Sequence, residues 1–355
     1  MKKLFMALVL TGTATLLALV LWVNGQVHQP LQVDEPQLLE VAPGQNLISL
    51  LQQFESQNWI DSSLPFRLWL RATSESGRIH AGEYQLEPGL TLHDLYTRMR
   101  DGEVVTYQVT LVEGWTFAEI RAALAAASKL EPVSHDWSEE KIMATLGQPE
   151  EPAEGWFFPD TYVYHQGMKD LDILRQAHER MQLLLEEVWS ERQPDLPLDS
   201  PYEALILASI VERETGAAHE RRDIAGVFIR RLEKGMRLQT DPTVIYGMGE
   251  DYQGRITYAD LRRPTPWNTY TIRGLPPTPI ASPGEAALRA SVNPAEGEAL
   301  YFVARGDGTH QFSATLEEHN QAVREYQHRR REDYRSWPAA EAADEESTGT
   351  EDTQP

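Results

Sequence analysis

The most constraining feature of this sequence is an uncharged, mainly apolar run from Leu4 to Val23. A helix of about 20 residues, rising about 1.5 Å per residue, spans the hydrocarbon core of a bilayer, which is roughly 30 Å thick. A secretory signal peptide has a shorter apolar region of about 7–15 residues and a small-residue cleavage site, and no A-x-A site follows this run. We therefore expect residues 1–24 to form a cytoplasmic stub and an uncleaved transmembrane anchor.

The basic residues around this run indicate its orientation. Lys2 and Lys3 precede it, and the next Lys or Arg along the chain is Arg67. Positive charge favours the cytoplasmic side of a membrane. We therefore expect a single-pass protein of the cell inner membrane, with a cytoplasmic N-terminus and with the chain beyond Asn24 in the periplasm. An external face in another type of envelope stays open, although an acidic, cysteine-free ectodomain favours the periplasm.

Composition excludes several classes of function. The net charge of −22 would repel a phosphate backbone, so nucleic acid is not an expected partner. The absence of cysteine excludes disulfides, thiol nucleophiles and Cys-based zinc sites. His310 and His319 are too isolated to indicate a metal, and no H-E-x-x-H, G-x-S-x-G or phosphate-loop motif is present. An active site in this chain must therefore use carboxylates, hydroxyls or histidines.

The organisation of the chain predicts an α+β fold in several parts. A chain of 355 residues exceeds the usual size of one domain. Three stretches each run from a strand pattern through a glycine to an N-capping residue and an amphipathic helix start, and the capping residues are Asn46, Thr91 and Thr116. Beyond the anchor we expect a small βα-rich, membrane-proximal part at 25–108, a larger domain at 109–335 and a disordered acidic tail at 336–355.

The stretch LASIVERETG, residues 207–216, combines an apolar helical run with two acidic residues. Positions two apart lie about 200° apart around a helix, so Glu212 and Glu214 cannot act as one carboxylate pair. By helical spacing, Glu214 lies over Leu207, Ile210 and Val211, beside the bulkier apolar face. A carboxyl held against apolar side chains has its charged form disfavoured, which favours a general acid.

A structural role for the same glutamates is the competing interpretation. Arg213, Arg221 or Arg222 could pair with one or both of them at the end of the helix. Helix periodicity alone does not decide between this ion pair and a catalytic acid.

Four further polar residues follow this helix in segments that are rich in Gly, Pro and Thr. These side chains could line a cleft and bind substrate, but Asx and Thr residues are also used by turns for their own hydrogen bonds. The residues are Gln239, Asp241, Asn268 and Tyr270.

Several long motifs resemble the YceG-like family of endolytic murein transglycosylases. They are EGWFFPDTY, ASIVERET, GMRLQTDPTVIYGMG and NTYTIRGLPPTPIASPG, and the resemblance runs from the anchor to about residue 330. It implies that Glu214 is the catalytic residue and that Thr215 replaces the serine that follows the catalytic glutamate in other lytic transglycosylases. The start VAPGQNLISLL also resembles a LysM peptidoglycan-binding module, which implies a LysM-like subdomain at 25–108 and a catalytic domain at 109–335.

The resemblance also implies a reaction and partners. The substrate would be nascent peptidoglycan, cleaved internally at the MurNAc–GlcNAc bond to leave 1,6-anhydroMurNAc ends and to terminate strand elongation. The C6 hydroxyl of MurNAc would be the nucleophile, so one carboxyl suffices where ordinary glycosidases use two. No metal or organic cofactor is implied, and peptidoglycan synthases are candidate partners.

Two other functions stay open from the sequence. A muramidase would use water and give reducing ends. A membrane-anchored, non-catalytic peptidoglycan-binding scaffold would release no product, and Glu214 would then only cap the helix or pair with an arginine.

Overall fold

The computed structural model describes residues 2–75 and 77–327. It contains many helices and short two-stranded sheets, which confirms the predicted α+β class. The helices are α1 (Lys2–Val27), α2 (Leu47–Ser56), α3 (Leu64–Thr73), α4 (Leu92–Asp101), α5 (Phe117–Ala126), α6 (Glu139–Thr145), α7 (Asp170–Ser190), α8 (Pro201–Glu214), α9 (Arg221–Glu233), α10 (Asp241–Met248), α11 (Tyr258–Arg262), α12 (Glu285–Val292) and α13 (Leu316–Tyr326). The strands are β1 (Gln37–Val41), β2 (Gly82–Leu86), β3 (Thr106–Thr110), β4 (Thr161–His165), β5 (Tyr301–Ala304) and β6 (His310–Ser313), and they pair as β1–β2, β3–β4 and β5–β6.

Helix α1 is long and apolar enough to cross a membrane, judged by its length and composition. Its large apolar side chains, such as Leu8, Leu16 and Trp22, are exposed along most of its length. Only Val27, at its last position, is buried. An exposed apolar helix is unfavourable in water, so these features of α1 suggest a single-pass membrane anchor.

The chain divides into two compact units. Among the described residues, the first contains those up to Val109 together with 127–131 and 163–169, and the second contains 110–126, 132–162 and 170–327. The predicted domains at 25–108 and 109–335, and the LysM-like character of the former, stay predictions. The predicted acidic tail at 336–355 lies outside the described residues.

The first unit is built around strands β1 and β2, which pair antiparallel with Leu39 opposite Tyr84. Asn46 and Thr91 cap helices α2 and α4, as predicted. The Asn46 side chain accepts the backbone N–H of Ser49, and the Thr91 side chain accepts that of Asp94. The largest fully buried side chains of this core are Tyr84, Tyr96, Phe54 and Phe66.

The second unit is organised around α8. Every residue from Ala204 to Glu212 is buried, and α7, α9, α10 and α12 pack against this helix. Ser200 accepts the backbone N–H of Glu203, and Pro201 occupies the first turn, where its missing N–H costs nothing. A helix that is apolar on all sides is stable only when neighbours cover all of it.

Residues 236–284 are rich in Gly, Pro and Thr, which is typical of loops, but they contain two α-helices. Helix α10 begins after Thr240 with Pro242 in its first turn, and the short helix α11 begins with a capping box of Thr257 and Asp260. Both starts use the Thr and Pro residues that otherwise indicate turns, which is why composition concealed them.

Candidate active site

A cleft of about 560 Å³ lies in the second unit, at the C-terminal end of α8. Glu214, the last residue of α8, is half-buried in its wall. The hairpin of β5 and β6 and one face of α13 form much of the rest. The other lining residues are Arg231, Leu238, Gln239, Asp241, Tyr270, Tyr301, Phe302, Val303, Ala304, His310, Leu316, His319, Asn320 and Val323.

The environment of Glu214 is suited to a carboxylic acid near neutral pH. Burial raises the pKa of Glu214 from its ordinary value of 4.5 to about 7. The hydroxyl of Thr240 donates a hydrogen bond to Glu214 Oε1 and opposes this rise. The charge of Asp241 raises the pKa further, and the charge of Arg231 lowers it. Glu214 can therefore be protonated or ionised at working pH, as a group that first donates and then accepts a proton requires.

Thr240 is held in place by a small network of buried hydroxyl groups. Its backbone N–H donates to Thr269 Oγ1 over 3.0 Å, and its carbonyl oxygen accepts from Thr243 Oγ1 over 2.8 Å. The hydroxyls of Thr243 and Thr269 are 2.9 Å apart. Because all three threonines are fully or almost fully buried, the donor to Glu214 has a fixed position.

The structure brings four of the residues singled out from sequence to this cleft: Glu214, Gln239, Asp241 and Tyr270. The Tyr270 hydroxyl donates to Asp241 Oδ1 over 2.6 Å, and burial together with this acceptor raises the pKa of Tyr270. Gln239 is exposed and has a left-handed backbone with φ of 53°, an uncommon conformation for a residue other than glycine.

The other two candidates, Thr215 and Asn268, lie outside the cleft lining. Thr215 is buried at the end of α8, and its Oγ1 accepts the backbone N–H of Ala217 over 2.9 Å. Asn268 is fully buried, and its Nδ2 donates to three backbone carbonyls, the shortest bond being 2.7 Å to Arg263. Both side chains therefore serve the turns in which they lie, and substrate contact by any of the candidates stays a prediction.

Glu212 has a different environment from Glu214, as the helical spacing predicts. It is 6% exposed, and its Oε1 accepts Arg221 Nη2 over 3.2 Å. Its Oε2 accepts the backbone N–H of Gly284 over 3.0 Å. The ion pair that was considered for both glutamates is therefore made by Glu212, whereas within 2–75 and 77–327 no arginine forms an ion pair with Glu214.

Sequence reasoning missed several residues of the cleft. Thr240, the hydrogen-bond donor to Glu214, lies between two residues that were singled out, and its helix-capping position concealed it. His310 lies in the cleft lining and contacts the buried Glu220. Its Nδ1 lies 2.7 Å from Glu220 Oε2, and its backbone N–H donates to Oε1 of the same carboxyl. Nothing in the local sequence links two residues that are 90 positions apart. The described residues contain no group of three or more potential metal ligands.

Comparisons with known proteins agree on one family. The model of the YceG-like family matches residues 39–325. An endolytic murein transglycosylase of Bacillus subtilis (strain 168) is 29% identical over 313 residues, which cover 81% of this chain and 84% of the relative. One of Streptococcus pneumoniae serotype 2 is 25% identical over 320 residues, and the match covers 81% of this chain but only 57% of that relative. A crystal structure described as a YceG-like protein, from Listeria monocytogenes, superimposes with a TM-score of 0.52 at 28% identity and covers 81% of this chain and 99% of that one.

Proposed function

The chain belongs to the YceG-like family, as its motifs predicted, and on this premise we propose that it is an endolytic lytic transglycosylase of peptidoglycan. The observation that carries the proposal is the placement of Glu214, a carboxyl with a pKa raised to about 7 by burial, in a cleft at the end of a rigid helix. Two relatives that match 81% of the chain are named endolytic murein transglycosylases, which supports the same activity and substrate.

The proposed reaction needs one carboxyl group. Protonated Glu214 gives its proton to the glycosidic oxygen that leaves C1 of MurNAc, and the bond between C1 and that oxygen breaks. The C6 hydroxyl of the same sugar forms the new bond to C1, and its proton passes to the Glu214 carboxylate. Glu214 thus returns to its starting state, no water is consumed, and the products are a 1,6-anhydro end and a free GlcNAc hydroxyl.

Product analysis tests this proposal. The full-length protein in detergent is incubated with un-crosslinked nascent strands, and the products are identified by mass spectrometry. Internal fragments with anhydro ends are expected. Reducing ends would instead indicate a water-using muramidase, and a folded protein that binds strands but releases no product would indicate the scaffold.

The pH dependence of cleavage tests the role of Thr240. Because the first step needs protonated Glu214, we expect the rate to fall as pH rises through about 7. Thr240→Val removes a hydrogen bond that favours the carboxylate, and bonds to charged groups contribute about 1.5–3 kcal/mol. The pKa of Glu214 should therefore rise, and the alkaline limb of the pH–rate profile should move to higher pH. Thr240→Ser keeps the hydroxyl and should restore the original limb; an unmoved limb in Thr240→Val would contradict this role.

We further propose that the anchor lies in the inner membrane with a cytoplasmic N-terminus. Lys2 and Lys3 on one side of α1, and the lack of another basic residue before Arg67, support this orientation. Protease added to the outer face of spheroplasts is expected to digest the chain beyond α1 and to spare an N-terminal epitope tag. Digestion of the tag with protection of the remainder would establish the opposite orientation.

A further inference from the structure

Arg231 is a buried cation in the wall of the cleft that holds Glu214. It extends from α9 and is 7% exposed. Three backbone carbonyls fix its guanidinium: Nε donates to Leu300 over 2.7 Å, and Nη1 donates to Leu238 over 2.6 Å and to Arg237 over 3.2 Å. The guanidinium also lies 5.1 Å from the centre of the Tyr301 ring. Its position is therefore set before any ligand arrives.

Arg231 forms no ion pair within the part of the chain that the structure describes. Among the carboxylates of the described chain, Glu214 is the one whose charge acts on Arg231, and the two form no ion pair. Its Nη2 has no hydrogen-bond acceptor among the residues described. Burial lowers the pKa of Arg231, although arginine stays charged in proteins. Nη2 is not among the enclosed polar atoms that lack a partner, so it opens into the cleft, where a ligand can supply an acceptor.

The neighbouring Arg230 also binds backbone carbonyls but does not line the cleft. Holding such carbonyls therefore does not by itself require an arginine in the cleft wall. Arg230 ties α9 to the segment between α12 and β5, donating to the carbonyls of Ala299 over 2.8 Å and Ala295 over 3.0 Å. It is outside the set of residues that line the cleft. Both arginines bind backbone carbonyls of residues 295–300, but Arg231 also binds those of Arg237 and Leu238, and of the two it is Arg231 that lines the cleft.

Resting on the proposed function, we propose that Arg231 binds the acyl oxygen of the lactyl arm of the MurNAc unit that is cleaved. Both sugars of the glycan carry hydroxyl and acetamido groups, whereas only MurNAc carries the lactyl arm. This arm is attached to C3 of the ring whose C1 reacts with Glu214, so the two contacts are compatible with one sugar. Its acyl oxygen is a carboxylate in strands without peptides and an amide carbonyl in strands with peptides, and guanidinium N–H groups bind either one.

This contact would select which glycosidic bond is cut. A strand alternates between two sugars, and a shift by one sugar would place GlcNAc where MurNAc should lie. Arg231 would then lose the charge-assisted hydrogen bond that the lactyl arm provides, and the loss of such a bond makes recognition discriminating.

A binding experiment tests this proposal without needing cleavage. Full-length protein carrying Glu214→Gln is titrated with peptide-free strands that keep the lactyl carboxylate, and with the same strands after chemical reduction of that carboxylate to an alcohol. We expect at least tenfold weaker binding of the reduced strands. In Arg231→Met the ratio should fall to about one, in Arg231→Lys it should be intermediate, and in the matched control Arg230→Met it should stay at its original value.

The outcomes separate this proposal from the proposed function. Equal binding of both strands by protein with Arg231 intact would overturn the lactyl contact, even if the wild type cleaves strands normally. A ratio that persists in Arg231→Met, or that disappears equally in Arg230→Met, would also overturn it, the latter by showing a structural effect. If the wild type releases no product, the proposed reaction fails while the binding ratio still decides the role of Arg231. If Arg231→Met does not fold, the intact protein and Arg231→Lys supply the decision.

Discussion

Replacing Glu214 by glutamine is expected to reduce the rate of strand cleavage by roughly 10²–10⁴-fold, the usual contribution of a general acid–base group. Glutamine has nearly the same shape, so binding should survive, but it has no proton to give to the leaving oxygen. The measurement compares single-turnover cleavage by the wild type and by Glu214→Gln, with anhydro ends counted by mass spectrometry. Equal production of anhydro ends by the two proteins would show that the protein is a transglycosylase whose general acid is a residue other than Glu214.

The same variant also reports on the cost of holding Glu214 in its site. A carboxyl whose pKa is about 7 in the folded protein, against 4.5 ordinarily, favours folding at low pH and loses this contribution as pH rises through about 7. Glu214→Gln has no such dependence. Its melting temperature should therefore exceed that of the wild type at pH 8, and the difference should shrink toward pH 5. A difference that does not vary with pH would show that Glu214 is not held in a desolvated site.

Replacing Glu212 by alanine is expected to cost up to about 3–5 kcal/mol in the free energy of unfolding, because it leaves a largely buried cation with only a half-exposed carboxylate, Glu113, at 3.9 Å. The cation is Arg221, whose side chain is 12% exposed and lies 3.2 Å from the Glu212 carboxylate. The lost acceptor for the Gly284 N–H adds to this cost. Urea unfolding of the wild type and of Glu212→Ala gives the difference in the free energy of unfolding. The rate of cleavage per folded molecule should stay close to that of the wild type.

A matched control for Glu212 is provided by an exposed ion pair. Glu187 lies 2.6 Å from Arg289, and both side chains are more than one third exposed. Glu187→Ala should cost at most about 1 kcal/mol, as exposed pairs usually do. If Glu212→Ala instead unfolds like the control while abolishing cleavage, the catalytic acid is Glu212 and the assignment to Glu214 is wrong.

The sequence predicted the parts of this site that depend on local patterns. Helix α8 and the separation of Glu212 from Glu214 follow from apolar periodicity and helical spacing, and the structure shows both. Glu214 could be favoured over Glu212 because its neighbours on the helix surface are bulkier. The family motifs then pointed to the same residue.

The remaining parts depend on contacts between distant segments. Thr240 reaches Glu214 across 26 positions, and Arg231 enters the cleft from a helix whose sequence offers two adjacent arginines with no local sign of which one faces inward. Polar residues in turns are equally ambiguous. Asp241 and Tyr270 reach the cleft, whereas Asn268 uses its amide for backbone carbonyls, and only the three-dimensional path of the chain separates these cases.

The position of Glu214 as the last residue of α8 has a consequence for the origin of its acidity. The backbone dipoles of a helix sum to a partial negative charge at its C-terminal end, which disfavours a carboxylate there by about 0.3–1 kcal/mol. This helix is buried along most of its length, so salt in the surrounding solution screens the field less than at an exposed helix end. Part of the proton affinity of Glu214 therefore comes from the peptide backbone itself, and substitutions of the side chains around it would leave that part in place.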